Sequence, residues 1–354
     1  MKILITGSNG LLGQKIIYAL LKINASDTQS SSSSSDSQSS PSSPSSLHSH
    51  TIIATSKGEN RLLEKQGYQY EQLDISDKNQ VENIFKKHQP DVVMNTAAMT
   101  NVDACETHKE ECWQANVIAV QNIVDVLTSL KFPAFGRTSP ALNSTSPTPV
   151  LTRESPPYDP QLIHLSTDFI FDGEKGGPYT EEDKPNPLSY YALSKWEGEK
   201  IVQAGKIKWA ILRTIIVYGI VDNMSRSNIV LWAKDALSKG QKINVVDDQY
   251  RSPTLAEDLA QGCILAALKK AEGIYNVSGK DIMSILELVT RVADFWKLDK
   301  STITPIKSAT LNQAARRPAR TGFILDKARK VLGYQPHSFE EGLAILDKQL
   351  KADT

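Results

Sequence analysis

The sequence contains few cysteines, and their arrangement argues against a disulfide-based fold. The three thiols, Cys105, Cys112 and Cys263, are odd in number and widely spaced. This pattern favours a reducing compartment and ordinary buried thiols. Metal ligands are also scarce, because the His48 and His50 pair stands in low-complexity sequence with no further ligand at a suitable spacing. We therefore expect neither a disulfide framework nor a metal site.

The sequence also lacks an excess of charge of one sign and any long apolar run. Lysine and arginine together number 40, as do aspartate and glutamate, which argues against a nucleic-acid or membrane partner and favours a small molecule or a protein. No apolar run approaches the roughly 20 residues needed to cross a bilayer. The apolar start of the chain is cut short by Gly7 and is too brief for a signal-peptide core. We expect a soluble, cytoplasmic protein.

Short apolar strands alternate with helical patterns over the first two thirds of the chain. Strands are predicted over residues 2–6, 51–55, 91–96, 162–166 and 209–217, with a further strand end at 73–75. Helical spacing covers residues 11–23 and 229–238. Such alternation predicts an α/β fold of the Rossmann type, a doubly wound parallel sheet with a smaller C-terminal substrate-binding region.

Two segments interrupt this alternation. Residues 26–46 are nearly all serine, and residues 132–160 are rich in proline, serine and threonine. Both are too poor in apolar groups to repay the entropy of ordering. We predict disordered insertions over residues 26–50 and 133–160, at surface connections of one continuous core.

A glycine-rich turn follows the first strand at the start of the first helix. The run from Gly7 through Ser8, Asn9, Gly10, Leu11 and Leu12 to Gly13 has the spacing G-x-x-G-x-x-G. Glycines there allow a tight turn and close approach of a pyrophosphate, which the helix N-terminus favours. This position in a strand-turn-helix unit predicts a dinucleotide site rather than a plain turn.

The end of the second strand carries a hydroxyl and a cation where an acidic residue often holds a ribose. Ser56 and Lys57, with Arg61 nearby, suit a ribose 2′-phosphate and favour NADPH over NADH. The alternative is that Lys57 is a solvated loop residue. Asp74 either accepts from the adenine amino group or caps a helix starting near Ser76.

Tyr191 and Lys195 are four residues apart, so they share one face of a helix, whereas Tyr190 points elsewhere. An ammonium beside Tyr191 would lower the pKa of its phenol toward neutrality. Thr167, in the Ser-Thr-Asp sequence that ends the fifth strand, lies where ligands bind in such sheets. We expect Thr167 to bind a substrate oxygen, Tyr191 to protonate it, and Lys195 to activate Tyr191 and hold the nicotinamide ribose.

The chain resembles the extended short-chain dehydrogenase/reductase family, and over nearly its whole length the dTDP-4-dehydrorhamnose reductase branch. The resemblance is carried by "GSNGLLG", "DVVMNTAAMTNVDACE", "HLSTDFIFDG", "NPLSYYALSK", "LRTIIVYG", "DDQYRSPT" and "RRPARTGFILD". It implies NAD(P)H-dependent reduction of a 4-keto nucleotide sugar, foremost dTDP-4-dehydro-L-rhamnose. The implied catalytic set is Thr167, Tyr191 and Lys195. Cofactor contacts are expected from Gly7, Asn9, Gly10, Leu11, Leu12, Gly13, Ser56, Lys57, Asp74, Ile75, Ala97, Ala98, Tyr191 and Lys195.

The same resemblance suggests the organisation and the partners of the protein. Residues 1–220 would bind the cofactor, and residues 221–354, interleaved with the core, would mainly bind substrate. Members of the family often form homodimers. In one respect the sequence departs from the branch, because Ile215 and Ile216 stand where a tryptophan is often found.

Substrate contacts are expected from Thr100, Asp168, Arg251 and Arg316, and with them from Arg317. Guanidinium groups match the diphosphate of a nucleotide sugar, although surface salt bridges are the alternative for each arginine. Two other functions stay open. One is a different sugar-nucleotide reductase or epimerase, and the other is a non-catalytic NADP-binding protein resembling the regulatory subunit of methionine adenosyltransferase.

Overall fold

The structure, a computed structural model, describes residues 1–32, 49–131, 158–224 and 227–352. Its strands are β1 (Lys2–Thr6), β2 (Thr51–Ser56), β3 (Gln69–Gln72), β4 (Val92–Asn95), β5 (Gln161–Thr167), β6 (Lys208–Thr214), β7 (Val217–Tyr218), β8 (Ile243–Val246), β9 (Tyr250–Arg251), β10 (Thr254–Leu255), β11 (Gly273–Asn276), β12 (Met283–Ser284) and β13 (Ile303–Ile306).

The helices are α1 (Leu11–Ser32), α2 (Lys78–His88), α3 (Val102–Thr107), α4 (Lys109–Trp113), α5 (Ala119–Lys131), α6 (Tyr190–Ala204), α7 (Ile229–Ser238), α8 (Ala256–Leu268), α9 (Ile285–Trp296) and α10 (Phe339–Ala352). A π-helical turn, Gln114–Ile118, joins α4 to α5. In the described ranges, no helix is both long and apolar enough to cross a membrane.

Seven strands form one parallel sheet in the order β11-β6-β5-β4-β1-β2-β3, which confirms the predicted fold class. Successive side chains of a strand face opposite sides of a sheet. Ile3 and Ile5 therefore pack with α1 and α8, whereas Leu4 packs with α2 and α5. The strand order reverses between β1 and β4, and ligands of open α/β sheets bind at the carboxyl ends of the strands beside such a switch point.

The C-terminal third contributes to the central sheet and also builds a core of its own. Strand β11 pairs with β6, although it lies far beyond residue 220. Helices α7, α9 and α10 and the β8–β13 pair share a separate apolar cluster, which includes Ala233, Val289 and Leu343. The division into residues 1–220 and 221–354 stays a prediction.

Two predicted elements were wrong in their bounds. The strand expected over residues 209–217 ends at Thr214 and resumes at Val217, because Ile216 has a φ of +30°. A β-branched residue rarely adopts positive φ, and no pattern in the apolar run signals it. The third strand ends at Gln72, so residues 73–75 follow it.

The edges of the two insertions are more ordered than the sequence predicts, although residues 33–48 and 132–157 lie outside the described residues. Helix α1 extends to Ser32, and the Ser26 hydroxyl donates to the carbonyl of Lys22 at 2.7 Å. Asn24 and the buried His50 exchange two hydrogen bonds of 2.8 Å between side chain and backbone. Disorder was therefore the wrong prediction for residues 26–32 and 49–50.

Asp159, at the end of the second insertion, forms ion pairs with a lysine that precedes the insertion and with a lysine on β6. Asp159 accepts from Lys131 at 2.7 Å and from Lys208 at 2.6 Å, and the Tyr158 hydroxyl donates to the carbonyl of Pro90 at 2.8 Å. Residues 158–160 are thus part of the ordered protein, contrary to prediction.

Replacing residues 133–157 with a short Gly-Ser linker is expected to leave Tm within about 3 °C of wild type, because loop length changes closure entropy only slowly. Differential scanning calorimetry of both proteins measures this, and a cofactor titration checks the site. Loss of cooperative unfolding in the shortened protein would contradict the prediction.

Candidate active site

The glycine-rich turn packs against the end of β4 so closely that side chains are excluded. Gly7 has a φ of +68°, and a Cβ atom there would lie 2.8 Å from Ala97 Cα. A Cβ at Gly13 would lie 2.5 Å from the carbonyl oxygen of Gly7. The turn leaves a bare backbone cradle at the N-terminus of α1, which suits the pyrophosphate of a dinucleotide.

Asn9 connects this turn to the segment after β2. Its amide donates to the carbonyl of Glu59 at 2.7 Å, and its side-chain oxygen accepts from the backbone N–H of Arg61 at 2.9 Å. Gln14, buried in the first turns of α1, exchanges two hydrogen bonds of 3.0 Å with the backbone of Asp222. The cradle is therefore held from both sides.

Two clefts at the carboxyl edge of the sheet meet at Ala98. The outer cleft, about 1000 Å³, is lined by the predicted cofactor residues Gly7, Ser56, Lys57, Asp74, Ile75, Ala97 and Ala98. The inner cleft, about 550 Å³, is lined by Asn9, Gly10, Leu11, Leu12, Gly13, Ala98, Thr100, Thr167, Asp168, Tyr191 and Lys195. The structure thus brings all of the predicted catalytic and cofactor residues to one continuous edge of the sheet.

Lys57 and Asp74 form an ion pair of 2.9 Å in the outer cleft. Asp74 also accepts from the backbone N–H and the hydroxyl of Ser76, at 3.0 and 2.6 Å. Burial raises the pKa of Asp74, but these hydrogen bonds and Lys57 outweigh it and leave that pKa below its usual value. Helix α2 begins at Lys78 and is capped by Asp77, so the alternative that Asp74 caps it was wrong.

Tyr191 and Lys195 share the buried face of α6, as their spacing predicts. Ser189 caps this helix by accepting from the backbone N–H of Ala192 at 3.3 Å. Thr167 ends β5 and lines the same cleft as Tyr191 and Lys195. The three predicted catalytic side chains therefore meet in the inner cleft.

The expectation that Lys195 makes the Tyr191 phenol acidic was wrong. Burial raises the pKa of Tyr191, the influence of the Thr167 hydroxyl opposes this only in part, and the carboxylate of Asp168 raises the pKa further. Tyr191 is consequently a neutral phenol that holds its proton, as a proton donor must.

The pKa of Lys195 is shifted downward, whereas that of Tyr191 is raised. Burial lowers its pKa to about 8, against the opposing influence of Glu199 and Cys112. The ammonium therefore predominates at neutral pH and is lost as the pH rises through 8. A cation at this position suits an anionic or hydroxyl-rich ligand in the inner cleft.

Asp168 and Arg251 form a buried pair behind the inner cleft. Arg251 Nε lies 3.6 Å from Asp168 Oδ2, and the other guanidinium nitrogens donate to the carbonyls of Tyr250 and Pro318 at 2.7 and 2.6 Å. Burial raises the pKa of Asp168, and Arg251 and Thr321 oppose it. Asp168 lines the inner cleft, whereas the Arg251 guanidinium bonds to groups within the protein and does not line it.

Neither Arg251 nor Arg316 lines a described cleft, so their substrate contacts stay predictions. Arg316 is exposed. Arg317 pairs with Asp103 at 2.6 and 3.1 Å, as the salt-bridge alternative predicts.

Several cleft residues were missed by sequence reasoning. Lys109, Trp113 and Tyr190 line the outer cleft, and Phe169, Ile216, Val217, Met224 and Asn228 line the inner one. The ring centroids of Tyr190 and Trp113 lie 6.1 Å apart, so Tyr190 packs against Trp113 in the outer cleft. Of these residues, only Asn228 had a sequence signal, because an asparagine directly before a helical run is a typical helix cap. In the structure Asn228 caps α7.

Sequence comparison shows the family. The model of the family described as "RmlD substrate binding domain" matches residues 1–133 and 137–351. The chain is 29% identical over 290 residues to the spore coat polysaccharide biosynthesis protein SpsK of Bacillus subtilis, covering 80% of this chain and 89% of that protein. It is 27% identical over 285 residues to a dTDP-4-dehydrorhamnose reductase of Aggregatibacter actinomycetemcomitans, covering 77% and 86%. It is also 29% identical over 252 residues to methionine adenosyltransferase 2 subunit beta of Bos taurus, covering 70% and 67%.

Solved structures agree on the fold. A dTDP-4-dehydrorhamnose reductase from Clostridium acetobutylicum superposes with a TM-score of 0.73 at 25% identity, covering 99% of this chain and 100% of the other. The same enzyme from Bacillus anthracis, solved in complex with NADP, gives a TM-score of 0.73 at 23% identity, covering 98% and 99%.

Proposed function

Because this chain belongs to the RmlD substrate binding domain family, we propose that it reduces the keto group of a nucleotide-linked sugar with NADPH or NADH. The foremost substrate is dTDP-4-dehydro-L-rhamnose, which would yield dTDP-L-rhamnose. The observation that carries the proposal is the meeting of Thr167, Tyr191 and Lys195 in a cleft that also contains the glycine cradle. Reductases among the relatives and solved structures support the reaction class.

The residues at the sheet edge fit a nicotinamide dinucleotide, because the cradle at Gly7 and Gly13 has room for backbone contacts but none for a Cβ. Ser56, Lys57, Asp74 and Ile75 would hold the adenosine part. When bound, the reduced nicotinamide supplies a hydride to the keto carbon.

The protein's part in the reaction is to hold and move one proton. The neutral Tyr191 phenol donates its proton to the substrate oxygen as negative charge develops there. The Thr167 hydroxyl donates to Asp168 Oδ1 at 3.1 Å and accepts from the backbone N–H of Phe169 at 3.3 Å. On substrate binding it would turn its proton from Asp168 to the keto oxygen and orient that oxygen. The Lys195 ammonium would bind the hydroxyls of the nicotinamide ribose.

The choice of cofactor is proposed to depend on Lys57. Changing Lys57 to alanine is expected to raise the Kd for NADPH about tenfold, because a charged hydrogen bond to phosphate contributes about 1.5 kcal/mol. The Kd for NADH should stay the same. Fluorescence titration measures both constants, with Lys65→Ala as an exposed-lysine control outside both clefts. Equal loss of both affinities would contradict a 2′-phosphate contact.

The reaction is tested with a panel of dTDP- and UDP-linked keto-sugars and both reduced cofactors, following the loss of cofactor absorbance. Stoichiometric cofactor consumption with dTDP-4-dehydro-L-rhamnose is the expected result. An epimerase would interconvert sugars without net consumption. Turnover only with a different keto-sugar would keep the reaction class and change the substrate.

A second candidate function is that of a non-catalytic regulatory subunit. The identity to methionine adenosyltransferase 2 subunit beta supports it. Such a protein would bind NADP and a partner enzyme but turn over no sugar. The main proposal includes a homodimer and a cytoplasmic location. Sedimentation velocity tests whether the protein is a dimer.

A further inference from the structure

A fully buried ion pair links α6, which carries Tyr191 and Lys195, to β6. Glu199 and Arg213 are 0% and 1% exposed, and they meet in two parallel contacts, Nε to Oε1 at 3.0 Å and Nη2 to Oε2 at 2.8 Å. The guanidinium also donates to the carbonyl of Glu181 at 3.2 Å and stacks 5.4 Å from the centre of the Phe171 ring. The carboxylate is thus held rigidly by β6.

Glu199 continues the row of catalytic side chains along α6. Tyr191, Lys195 and Glu199 follow at intervals of four residues, and all three are buried. Side chains at this spacing are neighbours on one helix face. The row therefore places a phenol, an ammonium and a carboxylate in sequence, running from the inner cleft into the protein.

Among the other groups around Lys195, the Cys112 thiol also favours the charged form, but it acts less strongly than Glu199. His164 on β5 is fully buried, accepts from the Asn95 amide at 3.2 Å, and has a pKa held well below 6.5 by burial and by Lys195 itself. The Cys112 thiol of α4 donates to the Ser194 hydroxyl at 3.3 Å. Glu199 is the largest influence that favours the charged form of Lys195.

We propose that Glu199, fixed by Arg213, is a positioning residue that keeps Lys195 an ammonium and in line with Tyr191. The inference rests on the proposed function, because it takes Lys195 to contact the cofactor. A buried ion pair is a weak source of stability, since desolvation offsets the attraction. The position of Glu199 one helical turn after Lys195, on the same buried face of α6, supports a functional role instead.

The test compares wild type with two variants that differ in what they leave buried. Glu199→Gln removes the carboxylate but leaves Arg213 without its partner. The double variant Glu199→Leu/Arg213→Met removes both charges and fills the space with apolar side chains, which preserves folding in comparable cores. Glu199→Asp serves as the conservative control that keeps a carboxylate. Circular dichroism and Tm report folding.

The readout is the Kd for NADPH and NADH from pH 6 to 9.5. Wild type should lose affinity with a midpoint near the Lys195 pKa of about 8. In Glu199→Gln and the double variant, the midpoint should move down by about one pH unit, which makes the affinity about fivefold weaker at pH 8. Glu199→Asp should return toward the wild-type midpoint.

The outcomes separate the inference from the function it rests on. A folded double variant with the wild-type midpoint would overturn the inference, because the pair would then be purely structural. If the double variant does not fold, the midpoint of Glu199→Gln decides in the same way. Wild type that binds neither cofactor at any pH would overturn the proposed function and the inference with it.

Discussion

Replacing Tyr191 with phenylalanine is expected to lower kcat for keto-sugar reduction by about 10²–10⁴-fold, the usual contribution of a positioned acid. The substitution removes one oxygen and leaves the ring that packs at 6.1 Å from Phe169. The Kd for the cofactor should therefore change little. Steady-state kinetics and a fluorescence titration on the same preparation give the two numbers.

The control for this substitution is Tyr275→Phe, which also removes a phenolic oxygen from a buried ring. Tyr275 donates to the carbonyl of Glu272 at 3.1 Å and lines neither cleft. Its kcat should match wild type. If wild type turns over sugars and Tyr191→Phe does so equally well, Tyr191 is not the proton donor. If wild type binds cofactor but turns over no sugar nucleotide, the regulatory function is favoured.

Replacing Gly13 with alanine is expected to weaken cofactor binding by roughly a hundredfold, which corresponds to about 2.7 kcal/mol. The added Cβ would lie 2.5 Å from the Gly7 carbonyl oxygen and 2.7 Å from Ser8 Cα. Both are backbone atoms, so the cradle itself must move. Isothermal titration with NADPH and NADH measures the loss, and Tm reports the accompanying destabilisation.

Gly58→Ala is the matched control, since a Cβ there meets nothing within 4 Å and the residue lines neither cleft. Its affinity for both cofactors should equal that of wild type. An unchanged Kd in Gly13→Ala would show that the turn does not hold the pyrophosphate, and the dinucleotide assignment would then have to be abandoned.

The fold and those cleft residues that stand at strand ends were predictable, because both depend on local pattern and on strand order. A parallel sheet gathers the carboxyl ends of its strands at one edge. Residues such as Gly7, Ala97 and Thr167, each just after or at the end of a strand, therefore had to lie near one another. Helical spacing placed Tyr191 and Lys195 in the same way.

The remaining features depend on tertiary surroundings that spacing does not encode. The pKa of Tyr191 is set by burial and by Asp168, and nothing in a Y-x-x-x-K sequence reports either. Arg251 looks like a phosphate ligand in sequence, yet its guanidinium donates to the backbone carbonyls of the adjacent Tyr250 and the distant Pro318. The turn at Ile216 interrupts a run that reads as one strand.

Trp113, which packs against Tyr190 in the outer cleft, gives the protein a natural fluorescent probe. All five tryptophans belong to the described part of the chain, and Trp113 is the one that lines a cleft. Indole emission overlaps the absorption of reduced nicotinamides, so excitation energy would pass from Trp113 to a dinucleotide bound in the proposed site. Filling of the outer cleft can thus be followed by quenching in unlabelled protein, and Trp113→Phe identifies the share of the signal that comes from this indole.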